Sequence, residues 1–156
     1  RSPLSGVTGR GYPSNMASKS VQIENLQKVN LLAGLTKRDL QHIAKAGDVI
    51  KMTDGTTIVD QGQMGREAFV ILSGSIGVRR NGRKIATLGE GSVVGELSLL
   101  DHGPRTATAI CEGDCTLFVL DQRHFRKVLE DQPGIALKLL NTLAGYIRNL
   151  DRQYFG

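Results

Sequence analysis

Ala68-Phe69-Val70-Ile71-Leu72-Ser73-Gly74-Ser75-Ile76-Gly77-Val78-Arg79-Arg80-Asn81-Gly82-Arg83-Lys84-Ile85-Ala86-Thr87-Leu88 is the stretch that decides the fold. Its apolar runs are short, and glycine or asparagine-glycine punctuates them every few residues. Asn81-Gly82 is the strongest short-range hairpin signal, because both central positions of a tight turn need positive φ. The stretch therefore predicts strands over Ala68–Leu72, Ser75–Arg80 and Lys84–Leu88.

The same rhythm extends outward in both directions. Upstream, Asp48–Met52 and Thr56–Val59 flank Thr53-Asp54-Gly55. Downstream, Thr106–Cys111 and Thr116–Leu120 flank Glu112-Gly113-Asp114. Nineteen of the 156 residues are glycine, and eleven of these fall between Gly55 and Gly113, where strand turns need them. Seven or eight short strands at this spacing predict a sandwich or barrel. Helical patterns bracket it. Val21–Leu32 is dotted with apolar residues. Thr36 with Asp39 forms a capping-box variant that opens a helix over Lys37–Ala46, with Gly47 as its stop. Asp121 caps Gln122–Asp131, and Pro133 starts a last helix running to about Asp151. Along that helix Ala136, Leu140, Leu143, Ile147 and Leu150 form a narrow seam suited to self-pairing, with packing on the chain's own barrel as the alternative. Residues 1–18 are polar and Gly/Pro/Ser-rich, and Met16 reads as a start residue behind a leader or disordered segment. The domain proper is then 19–156, divided into a helical segment 19–47, a β-barrel 48–120 and C-terminal helices 121–151.

Composition removes several function classes. The formal charge of +5 lies in the N-terminal third, and residues 53–156 carry twelve basic and twelve acidic side chains. No basic stripe marks a DNA-reading element, and tryptophan is absent, so nucleic acid is not the expected partner. No apolar run reaches the length of a membrane span. Cys111 and Cys115 are too few for a disulfide framework or a zinc site, and read as small apolar strand residues in a reducing, cytoplasmic setting. His42, His102 and His124 are scattered, so a jelly-roll metalloenzyme is the weakest of the readings considered. No activated nucleophile is evident, and an enzyme is not expected.

One segment breaks the strand rhythm: Gly89-Glu90-Gly91-Ser92-Val93-Val94-Gly95-Glu96-Leu97-Ser98-Leu99-Leu100-Asp101-His102-Gly103-Pro104-Arg105-Thr106-Ala107-Thr108-Ala109. A short helical pattern, Glu96 to Leu100, opens directly after Gly95, and unpaired N–H groups at such a start suit an anion. Arg105, nine residues after Glu96 and behind the stiff Pro104, can pair two phosphate oxygens at once. A glutamate cannot serve a phosphate but can accept from a sugar hydroxyl. The three together fit a small ligand carrying one phosphate and one hydroxyl.

Gly95-Glu96-Leu97-Ser98-Leu99-Leu100 through Pro104-Arg105-Thr106-Ala107 resembles the phosphate-binding cassette of cyclic nucleotide-binding domains. The resemblance extends from Gly47 to Asp151, through the turn Gln61–Gly65, the stretch Phe69–Ile76 and the paired C-terminal helices. It implies a fold that is mainly β with flanking α: a double-stranded β-helix, jelly-roll-like barrel with N-terminal helices and two C-terminal helices. It also implies residue roles. Glu96 would bind the ribose 2′-hydroxyl. Arg105 would bind the cyclic phosphate, with the N–H groups of Leu97 and Ser98 and the hydroxyl of Thr106, and Ala107 would line that end. Val78 and Ile85 would offer the purine an aliphatic wall, and Arg148, Leu150 and Asp151 would reach it from a closing last helix. Two positions depart from the pattern: Val94 stands where an aromatic is common, and Arg66 where an acid is common.

The resulting expectation is a non-catalytic sensor or regulatory module for signal transduction that needs no cofactor. Its ligand would be cAMP in preference to cGMP, with Thr106 compatible with either. The module would be stand-alone or excised from a larger protein, with an effector elsewhere and a homodimer through the C-terminal helix as possible partners. A degenerate, non-binding interaction domain of the same fold is the alternative.

Overall fold

The computed structural model describes residues 22–155 of the chain, with side chains described to residue 152. The leader assigned to 1–18 and the start of the Val21–Leu32 segment lie outside the described residues.

Eight strands follow the N-terminal helical segment: β1 (Asp48–Met52), β2 (Thr57–Val59), β3 (Met64–Gly65), β4 (Glu67–Arg80), β5 (Arg83–Leu88), β6 (Val93–Val94), β7 (Gly103–Pro104) and β8 (Thr108–Asp121). Helix α1 (Lys37–Ala46) precedes them, and α2 (Gln122–Asp131) and α3 (Pro133–Phe155) follow. All hydrogen-bonded strand pairs are antiparallel. The main sheet runs β1-β8-β4-β5, with β2 on β8 and β6 on β4, while β3 and β7 form a separate pair.

The mainly β, jelly-roll-like fold with flanking helices is as expected, but the hydrogen bonding does not close into a barrel. The seven short strands also merge. Ala68–Leu72 and Ser75–Arg80 are one fourteen-residue strand, and the two segments from 106 to 120 join as another. Gly74 (φ 98°) and Gly113 (φ 87°) do not end strands. They bend β4 and β8 near shifts in register between Ile71 and Ser75, so pairing resumes beyond the bend. Glu112-Gly113-Asp114 is therefore a kink inside a strand.

Alternation along these two strands divides the interior. Ala68, Val70, Leu72, Phe118 and Leu120 face the helices, where they pack with Leu31, Leu40, Ile43, Phe125, Ile135 and Leu139. Phe69, Ile71, Leu117 and Val119 face the opposite way, with Ile50, Ile58, Ile76 and both cysteines. A strand buried on both faces reads as a continuous apolar run, which is what Ala68–Leu72 is.

The helix ends follow their sequence signals. Thr36 and Asp39 form the complete capping box, and Asp121 accepts from the His124 N–H at 2.7 Å. Gly47 differs. Its φ of −106° is not left-handed, and a Cβ there would lie 2.7 Å from Phe118 Cε1 and 2.6 Å from the Val119 carbonyl. It is glycine for space, not for turning. Helix α3 buries Ile135 and Leu139 and leaves Leu137, Leu140, Ile147 and Leu150 exposed. Lys138 ties it to the α1 cap by a 2.6 Å bond to Asp39.

Candidate functional site

The cassette lies across the mouth of the bent sheet. Residues Glu96–Leu99 form a single 3-10 turn, entered through Gly95 in the left-handed region (φ 76°) and anchored by the buried Leu99. The chain then returns through β7 to Arg105. Its backbone is locked to the Gln61–Gly65 turn, with Arg105 N–H donating to Gln63 C=O at 2.7 Å and Gly62 N–H donating to Arg105 C=O at 2.8 Å. β3 and β7 pair Gly65 with Gly103. The loop that carries Arg105 is thereby fixed before any side chain is considered.

The Arg105 side chain crosses two glycines. A Cβ on Gly65 would lie 2.6 Å from Arg105 Cζ and 2.8 Å from its Cδ, and a Cβ on Gly95 would collide with the same guanidinium. The fork ends on two neutral acceptors, Ser98 Oγ at 3.1 Å and the Glu67 carbonyl at 2.8 Å. Burial lowers the Arg105 pKa and the nearby Glu67 charge opposes this, while burial raises that of Glu67. An arginine in this range stays charged. The result is a half-buried cation whose hydrogen-bond partners are neutral, with its charge available to an anion. Gly95 has a packing reason to be glycine: a Cβ there would meet the Arg105 guanidinium and the Glu67 carbonyl.

A cavity of about 480 Å³ opens over this arrangement. Gly95, Glu96, Leu97, Ser98, Arg105, Thr106 and Ala107, the seven phosphate and ribose candidates, all line it. Of the purine candidates, Val78 lines it. Ile85 is half-exposed outside it, and Arg148, Leu150 and Asp151 are exposed on α3 away from its wall. Two cassette groups are already engaged. Ser98 N–H donates to the Gly95 carbonyl at 2.9 Å, and Glu96 Oε2 accepts the Leu31 N–H at 2.6 Å. The second bond ties the cassette to the 3-10 turn Asn30–Leu32, whose Leu31 is fully buried. On helix α3 the Tyr146 phenol is pushed above its ordinary pKa, first by desolvation and then by the charge of the Glu96 carboxylate.

Sequence reasoning missed Gly65, Glu67, Arg80 and Tyr146. Gly65 lay inside the quoted Gln61–Gly65 turn, but its partner is forty residues away and no local signal names it. Arg80, at the end of β4, also lines the cavity and donates from Nε to the Thr106 carbonyl at 3.0 Å. Among the described residues no group of three or more His, Cys, Asp or Glu is placed to hold a metal ion.

Residues 49–132 match the family model described as cyclic nucleotide-binding domain. Over 128 residues the chain is 31% identical to a cAMP-dependent protein kinase regulatory subunit of Yarrowia lipolytica, covering 78% of this chain and 34% of the relative. The chain thus spans about a third of that relative's length. Among solved structures, the N-terminal domain of a transcriptional regulator from Streptomyces coelicolor superposes with a TM-score of 0.77 at 27% identity, covering 82% of this chain and 95% of that one. The catabolite activator protein of Thermus thermophilus superposes with a TM-score of 0.64 at 28% identity, covering 80% and 61%.

Proposed function

Because the chain belongs to the cyclic nucleotide-binding domain family, we propose that it is a regulatory module whose cavity binds a cyclic nucleotide, cAMP before others, without catalysis of its own. The observation that carries this reading is Arg105: a half-buried guanidinium held by Ser98 and the Glu67 carbonyl, fixed across two glycines and facing the cavity. Such a fork suits the equatorial oxygens of a cyclic phosphate. Glu96, with one oxygen on Leu31 N–H, keeps its other oxygen for the ribose hydroxyl. The kinase regulatory subunit among the relatives supports cAMP as the ligand.

Binding would be coupled to α3. A ligand touching both the cassette and the helix favours the arrangement in which they meet, and the Glu96 charge already bears on the Tyr146 phenol of α3. The exposed ridge of Leu137, Leu140, Ile147 and Leu150 suits a second copy of the chain, and an effector would read the change. No helix among the described residues is long and apolar enough to cross a membrane, and a cytoplasmic setting is part of the proposal.

Calorimetric titration tests it. cAMP should bind, and Arg105→Ala should weaken binding by about 2–5 kcal/mol, or roughly 30-fold or more. Arg66→Ala, at an exposed position, should leave it unchanged. No heat with cAMP or cGMP at millimolar ligand, or equal effects of the two substitutions, would overturn the reading.

A further inference from the structure

β5 is an edge strand of the main sheet and pairs with β4 alone. Arg83 to Thr87 are exposed in succession, a run that no other strand contains. On an antiparallel edge every second residue turns its N–H and C=O away from the neighbouring strand. β5 therefore offers unpaired main-chain groups along a row about 20 Å long.

The hairpin that carries this edge is held in place. Asn81 (φ 52°) and Gly82 (φ 80°) make its tight turn, and the Gln61 amide clamps Asn81 by two 2.9 Å bonds, one to its side chain and one from its N–H. The hairpin is also basic. Arg79, Arg80, Arg83 and Lys84 put four of the twelve cations of residues 53–156 into six residues that hold no acid. Lys84 is paired with Glu112, and Arg80 donates to the Thr106 carbonyl. Arg79 and Arg83 are exposed, and among the described residues neither has an ion-pair partner.

We propose that β5 docks an acidic segment of a partner protein, which adds to the sheet as an extended strand beside Arg83–Leu88. In this mode main-chain hydrogen bonds supply the affinity and side chains the specificity. Arg83 and Lys84 belong to opposite faces of the sheet, each with a cationic register partner on β4, Arg80 and Arg79. Successive acids on the added strand therefore meet a cation on each face. The charge disfavours the other occupants. Two β5 edges side by side would set Arg83 and Lys84 against their own kind, and the register shift that leaves Ile85 unpaired blunts such pairing further. Residues 1–21 carry Arg1, Arg10 and Lys19 and no acid, so they bring no counter-charge. With the turn already fixed, little of the hairpin has to order on binding.

Fluorescence anisotropy tests this on the intact chain, with a labelled peptide of β-branched residues around a central pair of glutamates. The peptide should bind, and raised salt should weaken it. Arg83→Glu should weaken it by roughly tenfold or more. Arg83 is exposed, so the variant should fold, which an unchanged melting temperature checks. Methylating alternate backbone nitrogens of the peptide should abolish binding. Amide exchange in Arg83–Leu88 should slow by roughly tenfold or more when the peptide is present, while β1, at the other end of the sheet, stays unchanged. No peptide binding at millimolar concentration, binding that survives methylation, or protection only outside the hairpin overturns the proposal. So does tighter binding to a DNA duplex or to vesicles of anionic lipid, or self-association of the chain that protects β5 without peptide. The titration needs no cyclic nucleotide, so its failure leaves the function proposed for the cavity untouched.

Discussion

Gly65→Ala isolates the packing that aims Arg105. Gly65 is buried, and it is not among the positive-φ residues, so alanine there carries no backbone penalty. What it carries is a methyl group 2.6 Å from Arg105 Cζ and 2.8 Å from Cδ, distances no real Cβ tolerates. Neither backbone can retreat, because residues 62–65 and 103–105 are joined by hydrogen bonds in both directions and by the β3–β7 pairing. The flexible partner, the Arg105 side chain, must move. Moving it breaks the bonds to Ser98 Oγ and the Glu67 carbonyl, each worth about 1.5–3 kcal/mol as a hydrogen bond to a charged group. Water restores part of that, and overpacking adds about 1–3 kcal/mol of its own to the fold. We expect cAMP affinity to fall by about 2–3 kcal/mol, or roughly 30- to 150-fold by calorimetry. Gly62→Ala is the control. Its φ of 88° strains an alanine by about 1–2 kcal/mol, but no atom lies within 4 Å of its Cβ. It should lower the melting temperature and weaken cAMP binding far less than Gly65→Ala does. Gly65→Ala binding cAMP within threefold of wild type would refute the two-glycine seat.

Other substitutions probe neighbouring contacts. Burial raises the Glu67 pKa, so the fold favours its neutral form; that contribution is present at acid pH and lost as pH rises through the folded pKa. Glu67→Gln should therefore melt no lower than wild type at pH 7, with the difference shrinking toward pH 4, and a lower melt at pH 7 would show the Arg105 attraction dominant. Glu96→Ala removes the acceptor of the Leu31 N–H, so amide exchange at Leu31 should accelerate at least tenfold by mass spectrometry, alongside weaker cAMP binding. The hydrogen bond to Lys138 holds the Asp39 carboxyl below its usual range. Its contribution is complete at neutral pH and lost as pH falls through the folded pKa. A double-mutant cycle of Asp39→Ala and Lys138→Ala should give a coupling of about 0.5–1 kcal/mol at pH 7 that is lost as pH falls through the folded pKa of Asp39.

Much of this protein was legible in local chemistry. Thr36 with Asp39, Asp121 and Pro133 mark helix ends because caps are satisfied within a few residues of chain. Asn81-Gly82 marks a hairpin for the same reason, and Gly95-Glu96 with Arg105 marks the cassette because its parts lie within ten residues. What sequence could not tell was how far a strand continues past a glycine. Gly74 and Gly113 permit either a turn or a bend, and the choice is made by whether β4 and β8 find each other again beyond it. Strand number left a sandwich and a barrel both open and the resemblance implied the barrel, whereas closure depends on which edges meet.

The site divides along the same line. The linear sequence determined that an anion-binding arginine, a hydroxyl-accepting glutamate and a permissive glycine would be near one another, since their spacing is short. Only the tertiary structure decided that Gly65 completes the seat of Arg105, that Glu96 grips Leu31, and that Arg80 holds the Thr106 carbonyl. Those pairings join residues from 26 to 65 positions apart wherever a hydrogen bond defines them. Contacts at that range are set by the packing of whole strands and helices, and no window of sequence contains both partners.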